Sequence, residues 1–177
     1  DRVFNTPHSD PNAPAVRILK MHKLFSRGGD CGSKKVEKVA VKSLSLGINQ
    51  RECFGLLGHN GAGKTTTINM LCGMFPQTSG GADVGPYNLR TQMTSVYGDM
   101  SVCPQHNILW NPLTAREHLQ FFGRLKGMFG KELKDAVALA LKSVNLEKFA
   151  NVAAGKFSGG MKRRLSVANA FIGDPKI

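Results

Sequence analysis

Apolar and polar positions divide the chain into strand-like, helix-like and turn-rich stretches. From Val16 to Phe25, and again from Val39 to Ile48, apolar residues alternate with polar ones or cluster in short runs. Both stretches predict strands, and Gly28-Gly29-Asp30 and Gly32-Ser33 between them predict the loop of a hairpin-like pair. Cys53–Leu57 is a short apolar run ending in glycine, the pattern of a strand buried on both faces. A helix is expected from Lys64 to Cys72, stopped near Gly73 and Pro76, and a further strand over Val96–Val102, broken at Pro104. Thr114-Ala115-Arg116-Glu117 then has the capping-box pattern, in which hydroxyl and carboxylate each satisfy an orphan amide. Ala115, Leu119, Phe122 and Leu125 make one helical stripe, and Leu133, Val137, Ala140 and Val144 a second, both predicted to face a core. A last helix begins at Ser158, carries Met161, Leu165, Ala168 and Ile172 on one face, and ends at Gly173 and Pro175.

Residues 1–15 hold Pro7, Pro11 and Pro14 among Asn, Asp, Ser and Thr, the composition of a linker. Residues 16–177 then form one domain, long enough to bury a core. The first residue is Asp1 rather than Met, so a piece of something longer is expected. No stretch approaches the roughly 18 apolar residues of a membrane span. Cys31, Cys53, Cys72 and Cys103 lie far apart with no CxxC pair, so neither a zinc site nor a disulfide framework is expected. The formal net charge of +12 points to polyanionic partners, among them nucleotide phosphates, nucleic acid and an anionic membrane face. It is equally compatible with a solvated basic surface, because the charges are scattered.

The strongest chemical signal is Gly58-His59-Asn60-Gly61-Ala62-Gly63-Lys64-Thr65, a G-x-x-x-x-G-K-[ST] P-loop between a predicted strand and a predicted helix. Glycines let the backbone turn tightly and aim consecutive N–H groups at one point, a nest for anionic oxygens, and the helix start adds its positive dipole end. In such a loop Lys64 reaches the β- and γ-phosphates, Thr65 holds Mg²⁺ through its hydroxyl, and Thr66 lies where a hydroxyl meets the α-phosphate. His59 and Asn60 occupy variable positions, and His59 reads as a spacer rather than an acid or base.

A P-loop alone leaves kinases, GTPases, helicases and transport ATPases open. Phe157-Ser158-Gly159-Gly160-Met161 narrows the choice: Ser158 stands at an N-cap and two glycines bare the first amides, a second anion site far from the first. This motif resembles the signature sequence of ATP-binding-cassette (ABC) proteins, usually Leu-Ser-Gly-Gly-Gln. Phe157 conserves the packing of the leucine, whereas Met161 removes the polar side chain of the glutamine. Gln105, in Cys103-Pro104-Gln105-His106-Asn107, resembles the family's Q-loop glutamine, and Phe25 resembles the aromatic that stacks on adenine, although an apolar residue there also suits a core. The resemblance covers Val16 to Ile177. Gly-His-Asn-Gly-Ala-Gly-Lys-Thr-Thr-Thr, Cys-Pro-Gln-His-Asn-Ile-Leu and Ser-Gly-Gly-Met-Lys-Arg-Arg-Leu-Ser-Val-Ala are most similar to the A subfamily, large membrane proteins mostly associated with lipid movement.

The resemblance implies an α/β fold, a P-loop NTPase core of ABC type, incomplete here, with an antiparallel β subdomain and an inserted helical subdomain over about 112–151. It implies ATP and Mg²⁺ as cofactors, with Gln105 sensing the metal and coupling to the transport subunit. Ser158, Gly159 and Gly160 are implied to contact the γ-phosphate of a second nucleotide-binding domain placed head to tail. Transmembrane domains of the same transporter are the further partner, which places the domain at the cytoplasmic face of a membrane. The chain ends where the family would carry its Walker B carboxylates, so nucleotide binding without turnover is expected, and a sheet lacking its middle strands, with aggregation-prone edges. A soluble ABC-type ATPase acting on nucleic acid or ribosomes is the alternative to which the charge points. Lys162-Arg163-Arg164 is too short to support it and reads as the polar face of the signature helix.

Overall fold

A computed structural model describes residues 13–27 and 36–177. It comprises two compact units, Asp1–Tyr97 and Gly98–Ile177. In the first, strands β1 (Val16–Arg27) and β2 (Val36–Ile48) form the expected antiparallel pair, with Val16 opposite Ile48 and Arg27 opposite Val36. The predicted loop glycines, Cys31 and most of the proline-rich stretch fall outside the described residues. At the end of that stretch Ala13 is buried, and the Gly85 amide donates to the Ala15 carbonyl.

Strand β3 (Ser79–Val84) pairs with the other edge of β1, and β4 (Tyr87–Asn88) with β3, giving the antiparallel order β2-β1-β3-β4. Val16, Ile18 and Met21 of β1 bury against Ala82 and Val84 of β3, and each such side chain contributes about 1.5–3 kcal/mol relative to exposure. Arg17 and Asp83, opposite each other across β1 and β3, form an ion pair at 3.6 Å, and Asn88 Nδ2 donates to Asp83 at 2.9 Å. The register of β1 on β2 slips between Lys23, opposite Val41, and Leu24, opposite Val39, leaving Ala40 as the extra residue of a bulge.

Helix α1 (Lys64–Leu71) follows the P-loop and buries Thr67 and Met70. It stops as expected, at Cys72 and a Gly73 with φ 68°. Two strand expectations are corrected. Cys53–Leu57 is not a strand: no described strand pairs with it, and Leu57 is 90% exposed. Val96–Val102 is not one either. Asn88 and Gln92 close a turn on each other, the Val96 amide donates to the Gln92 carbonyl, and helix α2 (Met93–Asp99) results, with Val96 fully buried. An apolar run states a preference for burial, whereas a strand also needs a neighbour for its amides and carbonyls.

The second unit is helical: α3 (Ala115–Leu125), α4 (Gly130–Ser143) and α5 (Gly159–Phe171), with short 3₁₀ turns at Glu147–Phe149 and Ala154–Lys156. Leu119, Leu133, Val137, Leu141, Leu146, Phe157, Leu165 and Ile172 share one core. The stripes hold in outline, with one correction. Leu125, at the last position of α3, is 67% exposed, and His118 is fully buried on the same helix instead. That histidine is satisfied on both sides: Nδ1 donates to the Thr114 carbonyl at 2.8 Å and Nε2 accepts from the Trp110 amide at 2.9 Å, the two roles of a neutral ring. On α3, Gly123 leaves no room for a Cβ beside Leu133 of α4.

Candidate nucleotide site

Gly63 opens α1 in the left-handed region, at φ 89°, with no side-chain cap on the helix's first amides. A Cβ there would stand 2.5 Å from the Ala40 carbonyl oxygen and 3.2 Å from Val41 Cγ2, so dihedral and space both require glycine. Gly61 is also left-handed, at φ 85°, and the Ala62 amide donates to the His59 carbonyl at 3.2 Å to close the turn. Lys64 bends back over the loop, its Nζ donating to the carbonyls of Gly58 at 2.6 Å and His59 at 2.9 Å. His59 Nδ1 pairs with the neighbouring Asn60 carbonyl at 2.8 Å. Thr65 is exposed and Thr66 half-buried on the first turn.

Sequence reasoning passed over Thr67. It is buried, and its Oγ1 and amide both donate to the Gly63 carbonyl, at 3.0 and 2.8 Å, locking the loop to the helix it opens. A cleft of about 440 Å³ runs along the loop, lined by Gly61, Ala62, Gly63, Lys64 and Thr67 on one side and Val39–Lys42 of β2 on the other. The donor set suits a triphosphate with its metal. One lysine charge and the uncapped start of a helix line the cleft, and an exposed hydroxyl, that of Thr65, follows one residue on.

Phe25, 41% exposed near the end of β1, lies opposite Lys38 of β2, and two residues further along β2 the Ala40 bulge backs Gly63. One strand therefore supports both the aromatic and the cradle. Phe25 meets Phe75 edge to face, with centroids 5.4 Å apart, and neither the pairing nor Phe75 was legible, since 50 residues separate them.

The remaining site residues belong to the second unit. Ser158 is the N-cap of α5, its Oγ accepting from the Met161 amide at 3.3 Å. Leu113, Asn111 and Arg116 bond to the 150–155 backbone and hold the approach to that cap under the start of α3. Phe157 buries in the helical core, as its match to the motif's leucine implies. Gly159 and Gly160 are exposed, neither has positive φ, and a Cβ on either would meet nothing within 4 Å. Gln105 is exposed in an irregular segment whose Pro104 carbonyl accepts from Arg163 Nη1 of α5 at 2.6 Å. Arg164 Nη1 donates to the Val144 carbonyl at 2.9 Å. Arg163 and Arg164 of the basic run are therefore tied to the protein's own backbone. The Thr114–Glu117 capping box is complete, and the hydrogen bond from the Thr114 amide holds the Glu117 carboxyl below the usual carboxylate range. Burial pushes the Cys72 thiol up; Cys53, Cys72 and Cys103 are free thiols.

The ABC transporter family profile matches residues 41–177. ABC transporter A family member 5 of Arabidopsis thaliana is 52% identical over 149 residues, which is 83% of this chain and 16% of that protein. Member 8 is 50% identical over 165 residues, 92% of this chain and 18% of its own length. The chain thus spans about a sixth of the length of these relatives. Among solved structures, the ATP-binding cassette MJ0796, in a dimeric post-hydrolysis state bound to ADP and Pi, aligns with a TM-score of 0.74 at 25% identity, over 90% of this chain and 70% of that one. The cbiO1 protein of Clostridium perfringens, part of the ABC transporter complex cbiONQ, shares the fold at a TM-score of 0.78 and 20% identity, over 92% of this chain and 62% of that one. With the P-loop cradle, the antiparallel sheet and the signature-like helix start in place, the chain belongs to the ABC transporter family, on its A-family branch, and has the fold of the family's ATP-binding domains.

Proposed function

We propose that the chain binds MgATP and, within a longer transporter, couples nucleotide binding and hydrolysis to the movement of a lipid across a membrane. The observation that carries the binding is the uncapped start of α1 at Gly63, with Lys64 folded over it. In this reading the amides of Gly61 to Thr65 cradle the phosphates. Lys64 exchanges its loop carbonyls for the β- and γ-phosphates, Thr65 and Gln105 serve the metal, Thr66 serves the α-phosphate and Phe25 stacks on the base. The bound Mg²⁺ neutralises charge on the phosphates.

The second half of the site comes from the signature helix. Glycine costs about 0.8–1 kcal/mol relative to alanine in a helix interior and less in the first turn, and nothing local requires Gly159 or Gly160. Bare backbone at that point supports close approach of an anion, the γ-phosphate held by a second copy of the domain. The dimeric state of MJ0796 supports the same assembly. Transmembrane parts of the transporter are the remaining partner, which puts the domain on the cytoplasmic face. An apolar slot of about 320 Å³ formed by Trp110, Pro112, Leu113 and Phe121, shortly after Gln105 in the chain, supports docking there. No helix among the described residues is long and apolar enough to cross a membrane.

Among the described residues, the cleft lining includes no Asp or Glu to orient an attacking water. Calorimetry on the purified chain is expected to find MgATP binding that falls roughly tenfold to a hundredfold in Lys64→Ala, the worth of one charge-assisted contact, without turnover. Binding unchanged in Lys64→Ala overturns the cradle assignment. Mg-dependent ATPase activity that Lys64→Ala abolishes overturns the absence of turnover.

A further inference from the structure

The corner between Phe25 and Phe75 is already occupied. The two rings stand at 77° to one another, and the ammonium of Lys23 sits over both faces, 5.0 Å from the Phe25 centroid and 4.8 Å from that of Phe75. Its Nζ also donates to the Pro76 carbonyl at 2.7 Å. Lys23 and Phe25 lie two residues apart on β1, so the pleat sends both side chains to one side of the strand. Phe75 and Pro76 come from the turn that ends the P-loop helix. One cation thus ties a ring on the sheet to the far end of the helix whose start forms the phosphate cradle.

We propose that Lys23 is a positioning residue for nucleotide binding: it holds the Phe25 ring in a fixed orientation, so that the ring presents one face as a preformed platform for the base. The inference rests on the reading of Phe25 as the base-stacking aromatic. The physical ground is preorganisation. An exposed phenylalanine near a strand end has two free torsions, and ordering it on binding subtracts from affinity. A cation over one ring face fixes that ring before the nucleotide arrives. It also draws ring electron density toward itself, which favours stacking of an electron-rich base on the opposite face. Lys23 touches neither base nor phosphate in this arrangement; it acts through Phe25.

The test is a double-mutant cycle on the whole chain, with MgATP and magnesium tripolyphosphate as probes in calorimetry. Tripolyphosphate engages the cradle but has no base. Lys23→Met keeps the side-chain length and removes the charge. It is expected to weaken MgATP about threefold and to leave tripolyphosphate unchanged, with Lys23→Arg restoring the loss. In a Phe25→Ala background, Lys23→Met is expected to cost nothing further. Equal losses for both probes, or additive losses of Lys23→Met and Phe25→Ala, overturn the positioning role and leave Phe25 as the base platform. If Phe25→Ala itself leaves MgATP affinity intact, the base-platform reading fails and the Lys23 role falls with it.

Discussion

The helices that open at Gly63 and Ser158 present backbone amides in opposite ways. At Gly63 the backbone is forced: φ is left-handed, Ala40 lies directly behind, and no side chain caps the amides. At Ser158 the cap is an ordinary hydroxyl accepting from Met161, and the following glycines are under no local constraint. The first start is shaped by its own unit, with β2 as the mould. The second is shaped by its side-chain cap, and the partner site there belongs to the proposed function. Glycine in the first is required by the local backbone, whereas nothing local requires it in the second.

Four substitutions break or sharpen this contrast, and the largest effect falls on the moulded side. Gly63→Ala puts a methyl against the Ala40 carbonyl and an alanine in a left-handed conformation, and is expected to destabilise by about 2–3 kcal/mol and abolish MgATP binding. Urea denaturation and calorimetry measure both, and a fully stable, nucleotide-competent variant would dissolve the contrast. The start of α3 supplies a control in which side chains do all the capping. Thr114→Ala is expected to cost about 1 kcal/mol, read in the same denaturation experiment, with no effect on nucleotide. Because the folded Glu117 carboxyl lies below the ordinary glutamate value of about 4.3, its contribution is complete above that value and is lost as pH falls through the folded one. Wild type should therefore lose stability in acid through Glu117, and Thr114→Ala, which keeps the amide bond to that carboxyl but not the hydroxyl one, should lose slightly less. The smallest change runs the other way. Gly159→Ala and Gly160→Ala are each expected to stabilise the chain by about 0.5–1 kcal/mol, leave its own MgATP affinity unchanged, and weaken nucleotide-dependent association of two copies in sedimentation. Destabilisation by either would mean that the glycines serve the fold after all.

What was legible in the sequence is what depends on near neighbours. The stop of α1 at Gly73, the Thr114–Glu117 box and the Ser158 cap each rest on residues a few positions apart, the β1–β2 pair on strands adjacent in the chain, and each appears as expected. The failures are non-local. Cys53–Leu57 and Val96–Val102 had the composition of strands, but composition cannot name the neighbour a strand needs. Strand β3 begins Ser-Gly-Gly and alternates only over Ala82, Asp83 and Val84, too short a pattern to predict it; Arg17 and the other residues of β1 lie across from it. In the candidate site, Lys64 and the loop glycines were legible because a short motif carries them. Thr67 was not, because the carbonyl it bonds, one helical turn back, leaves no mark in the sequence; Lys23 and Phe75 were not, because β1 and the turn after α1 lie far apart in the chain.

The hydrogen bond from Arg163 to the Pro104 carbonyl ties the segment holding Gln105 to the second turn of the helix that Ser158 caps. In mechanical terms it is a single rivet at an exposed joint. A hydrogen bond to a charged donor is worth about 1.5–3 kcal/mol at most where water competes for it. That is enough for the glutamine-bearing segment to share the helix's orientation at rest. It is also little enough for thermal motion, or a modest pull on either part, to slip the rivet and let it close again without unfolding anything else.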